Sequence, residues 1–167
     1  MKIQIIKFIN KYQNEVKSMV FNGLIDTSKN HNDNVKLAIK NYLKRSLNED
    51  LGSIYSHYND NGIFYVALNE EGEVVGSLGA EYVDGNKFRL KRLSVKIGFR
   101  NNGIAKKLLN KVEKWVLDNK GNELILGTSE IQEKAFNFWT SNGFKLINTD
   151  ISDSGIKLYS LNKVLKP

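Results

Sequence analysis

Arg100-Asn101-Asn102-Gly103-Ile104-Ala105 is the stretch on which the fold of this chain depends. It follows an apolar segment, residues 88–97, that predicts a strand. It precedes apolar residues at helical spacing, which are Ala105, Leu108, Leu109, Val112, Trp115 and Val116. The sequence therefore predicts a strand, a tight turn and an amphipathic helix in succession.

The predicted helix begins without an acidic residue. A helix N-terminus exposes unpaired N–H groups and the positive end of the peptide dipole, so it usually attracts Asp or Glu. Lys106 and Lys107 occupy the first turn instead. This arrangement leaves the amides available and adds positive charge, as a binding site for a large external anion such as a pyrophosphate requires.

The composition indicates one folded domain covering residues 1–167. A hydrophobic fraction of 41% and a charged fraction of 26% are those of a soluble globular protein. No apolar run is long enough to cross a bilayer, and residues 1–7 are too short and too interrupted for a signal peptide, so we expect no membrane partner and a cytoplasmic location. With no cysteine and only two histidines, disulfides and thiolate catalysis are excluded and no metal site is expected.

The formal net charge of +7 is compatible with a nucleic acid, an acidic surface or a polyanionic small ligand. The basic residues are scattered, and arginines do not alternate with aromatic residues. This distribution argues against a nucleic-acid groove.

The order of predicted elements indicates an α/β (α+β) domain in which helices flank a mixed central sheet. The predicted strands cover residues 2–8, 63–68, 74–83, 88–97, 124–126, 144–147 and 156–161. Helices are predicted over residues 12–24, from Val35 onward, over 51–58, after the opening stretch, and over 132–141. Residues 26–34 predict a loop, in which Asp33 or Asn34 caps the next helix.

The strand before the opening stretch contains an irregular apolar pattern. Leu90 and Leu93 are three residues apart, whereas Leu93 and Val95 are two apart. Because side chains alternate along a strand, either Leu90 faces the other side of the sheet or a bulge near Lys91-Arg92 resets the alternation.

These motifs together resemble the GNAT superfamily of acetyltransferases. The phosphate-binding pattern of that family is filled by Arg100, Gly103 and Ala105, after a strand similar to residues 90–95. A later family motif is similar to Gln132-Glu133-Lys134-Ala135, Phe138-Trp139 and Gly143-Phe144.

The resemblance implies an N-acetyltransferase that uses acetyl-CoA and no metal, and that moves the acetyl group to a primary amine by direct attack on the thioester. The alternative is a coenzyme-A-binding regulatory domain without turnover. The implied coenzyme-binding residues are Leu93, Ser94, Val95, Arg100, Asn101, Asn102, Gly103, Ile104, Ala105, Lys106, Gln132 and Trp139. The backbone amides of residues 101–106 would bind the pyrophosphate, and the Val95 amide would donate to the thioester carbonyl.

Three positions depart from the family pattern. Asn101 replaces a common Gly, and Gln132 replaces a common Asn. Trp139 replaces the tyrosine that often protonates the leaving thiolate, and an indole N–H donates a hydrogen bond without acting as an acid. The favoured interpretation is therefore that Trp139 packs either in the core or against the pantetheine arm.

The general base is also not assigned by the family pattern. Arg89 lies where some relatives have a Glu, and an arginine cannot accept the proton. Glu81 on the neighbouring strand is the favoured base. The other candidate bases are Glu130 and Asp33, and Tyr65 and Tyr82 are weaker candidates for either proton role.

The acceptor is expected to be a small-molecule or peptide amine. The regions that form the acceptor site in relatives contain Asp26, Asp33, Asp150 and Asp153, a composition that favours a cationic amine. We expect a monomer or a homodimer.

Overall fold

A seven-stranded sheet forms the frame of the computed structural model, which describes residues 1–167. The strands are β1 Gln4–Lys7, β2 Gly62–Leu68, β3 Val74–Asp84, β4 Lys87–Val95, β5 Glu123–Ser129, β6 Lys145–Ile151 and β7 Lys157–Val164. Their order across the sheet is β1-β2-β3-β4-β5-β7-β6. All neighbouring strands are antiparallel except β4 and β5, so the sheet is mixed as predicted.

Five helices cover the two faces of the sheet. They are α1 Gln13–Ser28, α2 Asp33–Ser46, α3 Ile54–Tyr58, α4 Ile104–Asp118 and α5 Glu133–Ser141. A 3-10 turn, Asn10–Tyr12, precedes α1, and a π-helical turn, Leu47–Leu51, follows α2. No helix combines the length and the apolar character that crossing a bilayer requires.

The connection between α1 and α2 is shorter than the sequence indicates. The predicted loop over 26–34 is wrong at its start, because α1 continues to Ser28. The predicted cap is also wrong: Asn32, and neither Asp33 nor Asn34, caps α2, since its side-chain oxygen accepts from the Val35 N–H at 3.0 Å.

Each face of the sheet has its own hydrophobic core. Packing against α4 and α5 buries nineteen residues, including Leu78, Leu108, Leu124 and Trp139. Packing against α1 and α3 buries twelve residues, including Val16, Ile54 and Phe64. The two cores fix the sheet between the helical layers and leave the carboxyl end of β4 at the boundary between α1 and α4.

A β-bulge interrupts β4 at Arg92, which confirms the second interpretation of the leucine spacing. Ser94 pairs with Ser77 and Lys91 pairs with Gly79, so two residues of β4 lie opposite Leu78. Arg92 has a left-handed φ of 63°. Because the bulge resets the alternation, Leu90, Leu93 and Val95 all pack toward the core beneath α4.

Candidate active site

The strands β4 and β5 separate after a short paired segment. Their parallel register covers only Lys87–Glu123, Phe88–Leu124 and Arg89–Ile125. Beyond these pairs, β4 continues on β3 to Val95 and β5 continues on β7 to Ser129. The facing edges of the two strands therefore carry backbone groups without a strand partner, in a cleft that an extended ligand can enter.

The Val95 amide faces this cleft. Its neighbour Lys96 donates to the Val75 carbonyl at 2.9 Å, and Val95 stands opposite Gly76. Since N–H groups alternate between the two edges of a strand, the Val95 N–H points away from β3 and toward β5. The N–H predicted to bind the thioester carbonyl is thus on the open edge.

The N-terminus of α4 lies just beyond this edge. Gly103 precedes the helix with a left-handed φ of 74°, and no side chain caps the helix. None of the six N–H groups from Asn101 to Lys106 donates a hydrogen bond within the protein. The first turn carries no acidic residue. These features form a concentrated set of free donors at the positive end of a 15-residue helix.

Close packing holds this helix end against the sheet. A Cβ on Gly76 would lie 2.8 Å from Cγ2 of Ile104 and 3.1 Å from Cδ1 of Leu108. Gly76 therefore allows the first turn of α4 to approach β3 directly, next to the strand that carries Val95.

The side chains of the loop stabilise the loop itself. Arg100 Nε donates to the Val95 carbonyl at 3.2 Å, and its Nη1 lies 3.5 Å from Asp26 on α1. Asn102 donates to the carbonyls of Phe99 and Arg100 at 3.1 Å. The Lys106 ammonium donates to the Asn142 side chain at 2.7 Å. The predicted anion site thus consists of backbone amides in a loop that side-chain hydrogen bonds stabilise.

Two of the predicted coenzyme-binding residues, Gln132 and Trp139, lie after β5 in the chain. Gln132 precedes α5 and accepts from the Thr128 hydroxyl at 3.3 Å. Trp139 is 5% exposed and packs edge-on against Phe138 and Phe144 in the core. The Trp139 ring therefore packs in the core, and its predicted contact with the coenzyme remains a prediction.

Glu81, the favoured base, lies in a group of charged residues on the α3 face, called here the carboxylate cluster: Glu49, His57, Glu81, Arg89 and Lys91. Glu81 Oε2 is 2.5 Å from His57 Nε2, and Oε1 lies 3.5 Å from Arg89 and 3.7 Å from Lys91. Lys91 also lies 3.5 Å from Glu49. The sequence contained no local signal for the contributions of His57 and Glu49, which come from segments distant in the chain.

The structure separates Glu81 from Val95. Along β3, Glu81 is five residues from Gly76, the partner of Val95, which corresponds to about 17 Å of strand. Glu49 is closer to this end of the strand, because it lies 3.4 Å from the guanidinium of Arg92. A proton from an amine at the Val95 end would reach Glu81 only through intervening water.

The other predicted proton acceptors have different surroundings. The Glu130 carboxylate accepts from the Lys157 backbone amide at 2.8 Å, so it stabilises the start of β7. Tyr65 is 8% exposed in the core beneath α4, and burial raises the pKa of its hydroxyl. Asp33 is exposed at the start of α2, and Tyr82 is 48% exposed beside Phe88.

The four aspartates expected near the acceptor do not form one group of contacts. Asp26 pairs with Lys29 and Arg100, and these contacts lower its pKa. Asp150 accepts from the backbone amide of Ile151 in the exposed strand β6. Only Asp26 is linked directly to the loop before α4.

A buried ion pair at the bulge was not predicted from the sequence. Arg92 and Asp50 have side chains that are 3% and 0% exposed, and Arg92 Nη2 lies 2.5 Å from Asp50 Oδ1. Burial alone would raise the pKa of Asp50, but the hydrogen bonds and charge of Arg92 outweigh burial and lower it. Burial and the Asp50 charge raise the pKa of Tyr58, whose hydroxyl donates to Asp50 at 2.6 Å.

A profile of the Acetyltransferase (GNAT) family matches residues 32–144, which include β2 to β5, the loop and α4. The chain belongs to the GNAT acetyltransferase family. The resemblance inferred from the loop and the later motif is confirmed. A crystal structure of a GNAT-family acetyltransferase from Staphylococcus aureus Mu50 covers 99% of this chain and all of its own, with 28% identity and a TM-score of 0.81.

Other GNAT proteins show similarity over different lengths. PaiA N-acetyltransferase from Thermoplasma acidophilum, solved in complex with coenzyme A, has the same fold, with a TM-score of 0.77, 21% identity and coverage of 98% of this chain and 99% of its own. N-acetylaspartate synthetase of Xenopus tropicalis is 34% identical over 110 residues, which are 64% of this chain and 40% of that protein. Human N-acetyltransferase 8B is 35% identical over 130 residues, or 74% and 57% of the two chains. The GNAT chain described here therefore spans about half the length of these curated relatives.

Proposed function

We propose that this chain transfers an acetyl group from acetyl-CoA to the nitrogen of a primary amine. The observation that supports this most strongly is the row of six free N–H groups at the start of α4, directly beside the open edge of β4. A pyrophosphate on the amides would place the pantetheine arm along that edge. Membership of the GNAT family and the curated N-acetyltransferase relatives support the same reaction.

In the proposed reaction the amine nitrogen attacks the thioester carbon in a single displacement. The N–C bond forms, the C–S bond breaks, and coenzyme A leaves as a thiolate. The nitrogen then releases its second proton to this thiolate, so the products are the amide and free coenzyme A. The Val95 N–H donates to the carbonyl oxygen, where negative charge develops in the transition state. A thiol with a pKa of about 8.5 is an acceptable leaving group near neutral pH, so a core tryptophan at position 139 does not prevent the reaction.

The attacking amine must first lose a proton. We propose Glu81, with His57 at its carboxylate, as the acceptor of that proton through a chain of water molecules along the strand. Glu49 is the second candidate, because it lies closer to the bulge end of β4. The Glu49→Gln and Glu81→Gln variants distinguish the two, since only loss of the true base lowers kcat strongly.

The acceptor is proposed to be a small-molecule or peptide amine. N-acetylaspartate synthetase, a relative, is named for an amino-acid product, so aspartate belongs in the test set. Polyamines, aminoglycosides and peptide lysines test the preference for a cationic amine that the aspartates predict. The cytoplasmic location and the choice between monomer and homodimer remain predictions.

The test combines binding and turnover. Coenzyme A should raise the melting temperature, and at least one amine should release free thiol from acetyl-CoA in a colorimetric assay. Stabilisation without turnover on any amine would favour the regulatory alternative. If coenzyme A at millimolar concentration produces no stabilisation, both functions are rejected.

A further inference from the structure

We propose that the buried Asp50–Arg92 pair positions the Val95 amide for catalysis. The pair holds Arg92 in the left-handed conformation that forms the bulge, and the bulge turns the Val95 N–H toward the cleft. This inference rests on the proposed function, because it concerns the donor to the thioester. Asp50 touches neither the cleft nor Val95, so it is a positioning residue.

The backbone conformation at the bulge is unfavourable for its residue. Arg92 has a φ of 63°, a region that glycine enters freely and that a residue with a Cβ enters at a cost in free energy. A strained backbone persists only where its surroundings determine it strongly. The chain therefore requires contacts that hold Arg92 in this conformation.

The side chain of Arg92 is held by contacts with three other side chains, those of Asp50, Tyr42 and Glu49. Its Nε lies 3.1 and 3.0 Å from the two carboxylate oxygens of Asp50, and Nη2 lies 2.5 Å from Oδ1. Nη1 donates to the Tyr42 hydroxyl at 2.7 Å. Nη2 also lies 3.4 Å from Glu49. Bidentate pairing of this kind fixes the orientation of both partners.

The partners of Arg92 are themselves fixed. Asp50 lies in the π-helical turn Leu47–Leu51 and accepts a second hydrogen bond, 2.6 Å long, from the buried Tyr58 hydroxyl. The carbonyl of Arg92 accepts from the buried Ser77 hydroxyl at 2.8 Å. The bulge is thus stabilised through both the side chain and the backbone carbonyl of Arg92.

The bulge determines which edge the Val95 N–H faces. Only with the extra residue does Ser94 pair with Ser77 and Val95 stand opposite Gly76. A slip of one residue would exchange the two edges of the strand and turn the Val95 N–H toward β3. Loss of the Asp50–Arg92 pair should therefore lower kcat, even though neither residue contacts the acetyl group.

Glycine provides a direct test, because it adopts a left-handed conformation without a partner. In Asp50→Asn, Arg92 loses its charged partner, and kcat should fall by about 10-fold to 100-fold, as when an oxyanion donor is misplaced. In the double variant Asp50→Asn with Arg92→Gly, kcat should return to within about threefold of the wild-type value, since Gly restores the bulge. Asp118→Asn, on an exposed residue of α4 paired with Lys114, is the matched control and should leave kcat unchanged.

Stability and geometry are measured alongside turnover. All assays are run below the thermal transition of every variant, so that a purely stabilising pair would lower the melting temperature without changing kcat. NMR coupling constants report φ at Arg92, and the Val95 amide shift reports its environment. Ser77→Ala removes only the hydrogen bond to the Arg92 carbonyl and should lower kcat several-fold, which keeps the proposal testable if Asp50→Asn does not fold.

Two results would overturn the inference: wild-type kcat in Asp50→Asn, or no recovery when Arg92→Gly is added. If the wild-type protein turns over no amine, the proposed function fails separately. The NMR measurements then decide the inference alone, since φ at position 92 and the Val95 shift must change in Asp50→Asn and return in the double variant.

Discussion

The anion site before α4 and the carboxylate cluster around Glu81 are built in different ways. The anion site uses backbone N–H groups from six consecutive residues, Asn101 to Lys106. The carboxylate cluster uses side chains from the π-helical turn, α3, β3 and β4. A site of consecutive amides depends on local backbone conformation, whereas a side-chain cluster depends on the packing of segments distant in the sequence. The two sites should therefore respond to different kinds of substitution.

A change of backbone conformation at Gly103 should have the largest effect. Gly103→Val places a β-branched residue at φ 74°, which costs about 1–2 kcal/mol and rotates the amides that follow. We expect the Kd of coenzyme A, measured by calorimetry, to rise by about 100-fold or more.

Gly155 provides a matched control for this substitution. It has a φ of 75° in the turn between β6 and β7, and a Cβ added at either Gly155 or Gly103 would meet no atom within 4 Å. Gly155→Val should cause the same backbone strain without changing coenzyme A affinity. An equal loss of affinity in both variants would mean that strain alone, and not the local amides, explains the effect.

Removal of the carboxylate at Glu81 tests the second site. Glu81→Gln keeps the size of the side chain and removes the proton acceptor, so kcat should fall by about 10²-fold near neutral pH while coenzyme A affinity is unchanged. Steady-state kinetics with a saturating amine measures the effect. A fall that is larger in Glu49→Gln than in Glu81→Gln would transfer the role of base to Glu49.

Trp139→Tyr should affect stability more than activity. The indole is 5% exposed and packs against Phe138 and Phe144, so a smaller ring leaves unfilled volume and lowers the free energy of unfolding by about 1–3 kcal/mol. We expect kcat to change by less than about threefold, because the ring belongs to the core. A clear rise in kcat would instead show that a hydroxyl at this position protonates the leaving thiolate.

The smallest expected effect concerns stability in acid, where the stabilisation by the Asp50–Arg92 pair is lost. Its pKa is lower in the folded chain than in the unfolded chain, so the Arg92 pair adds stability above about pH 4 and loses it as the pH falls through the folded value. Unfolding curves recorded from neutral pH into the acid range should show this decline in the wild-type chain. In Asp50→Asn the decline should be shallower, because the side chain at position 50 no longer takes up a proton in this range. Identical slopes in the two proteins would contradict this contribution of Asp50.

The same contrast explains how much the sequence could predict. The loop at Arg100 to Ala105, the missing acids of α4 and the leucine spacing of β4 are local patterns. They predicted the fold and the family, and they gave a bulge in β4 as one of two interpretations. The contacts of Asp50 with Arg92 and of His57 with Glu81 join segments that are 42 and 24 residues apart. No periodicity or spacing specifies such pairs, because they follow from the packing of helices on the sheet. The cap at Asn32 was missed for a local reason, since three successive residues are all good caps.

The three paired positions between β4 and β5 also have a consequence for the dynamics of the sheet. They are the only paired strand positions that connect the four strands β1 to β4 with the three strands β5 to β7. We expect amide hydrogen exchange to divide the sheet into two units, with slow exchange in the middle of each and faster exchange at Phe88 and Ile125, whose N–H groups face the opposite strand of this junction. A ligand that spans the cleft would slow amide exchange at these paired positions without contacting them. The short junction would therefore report coenzyme binding from a distance.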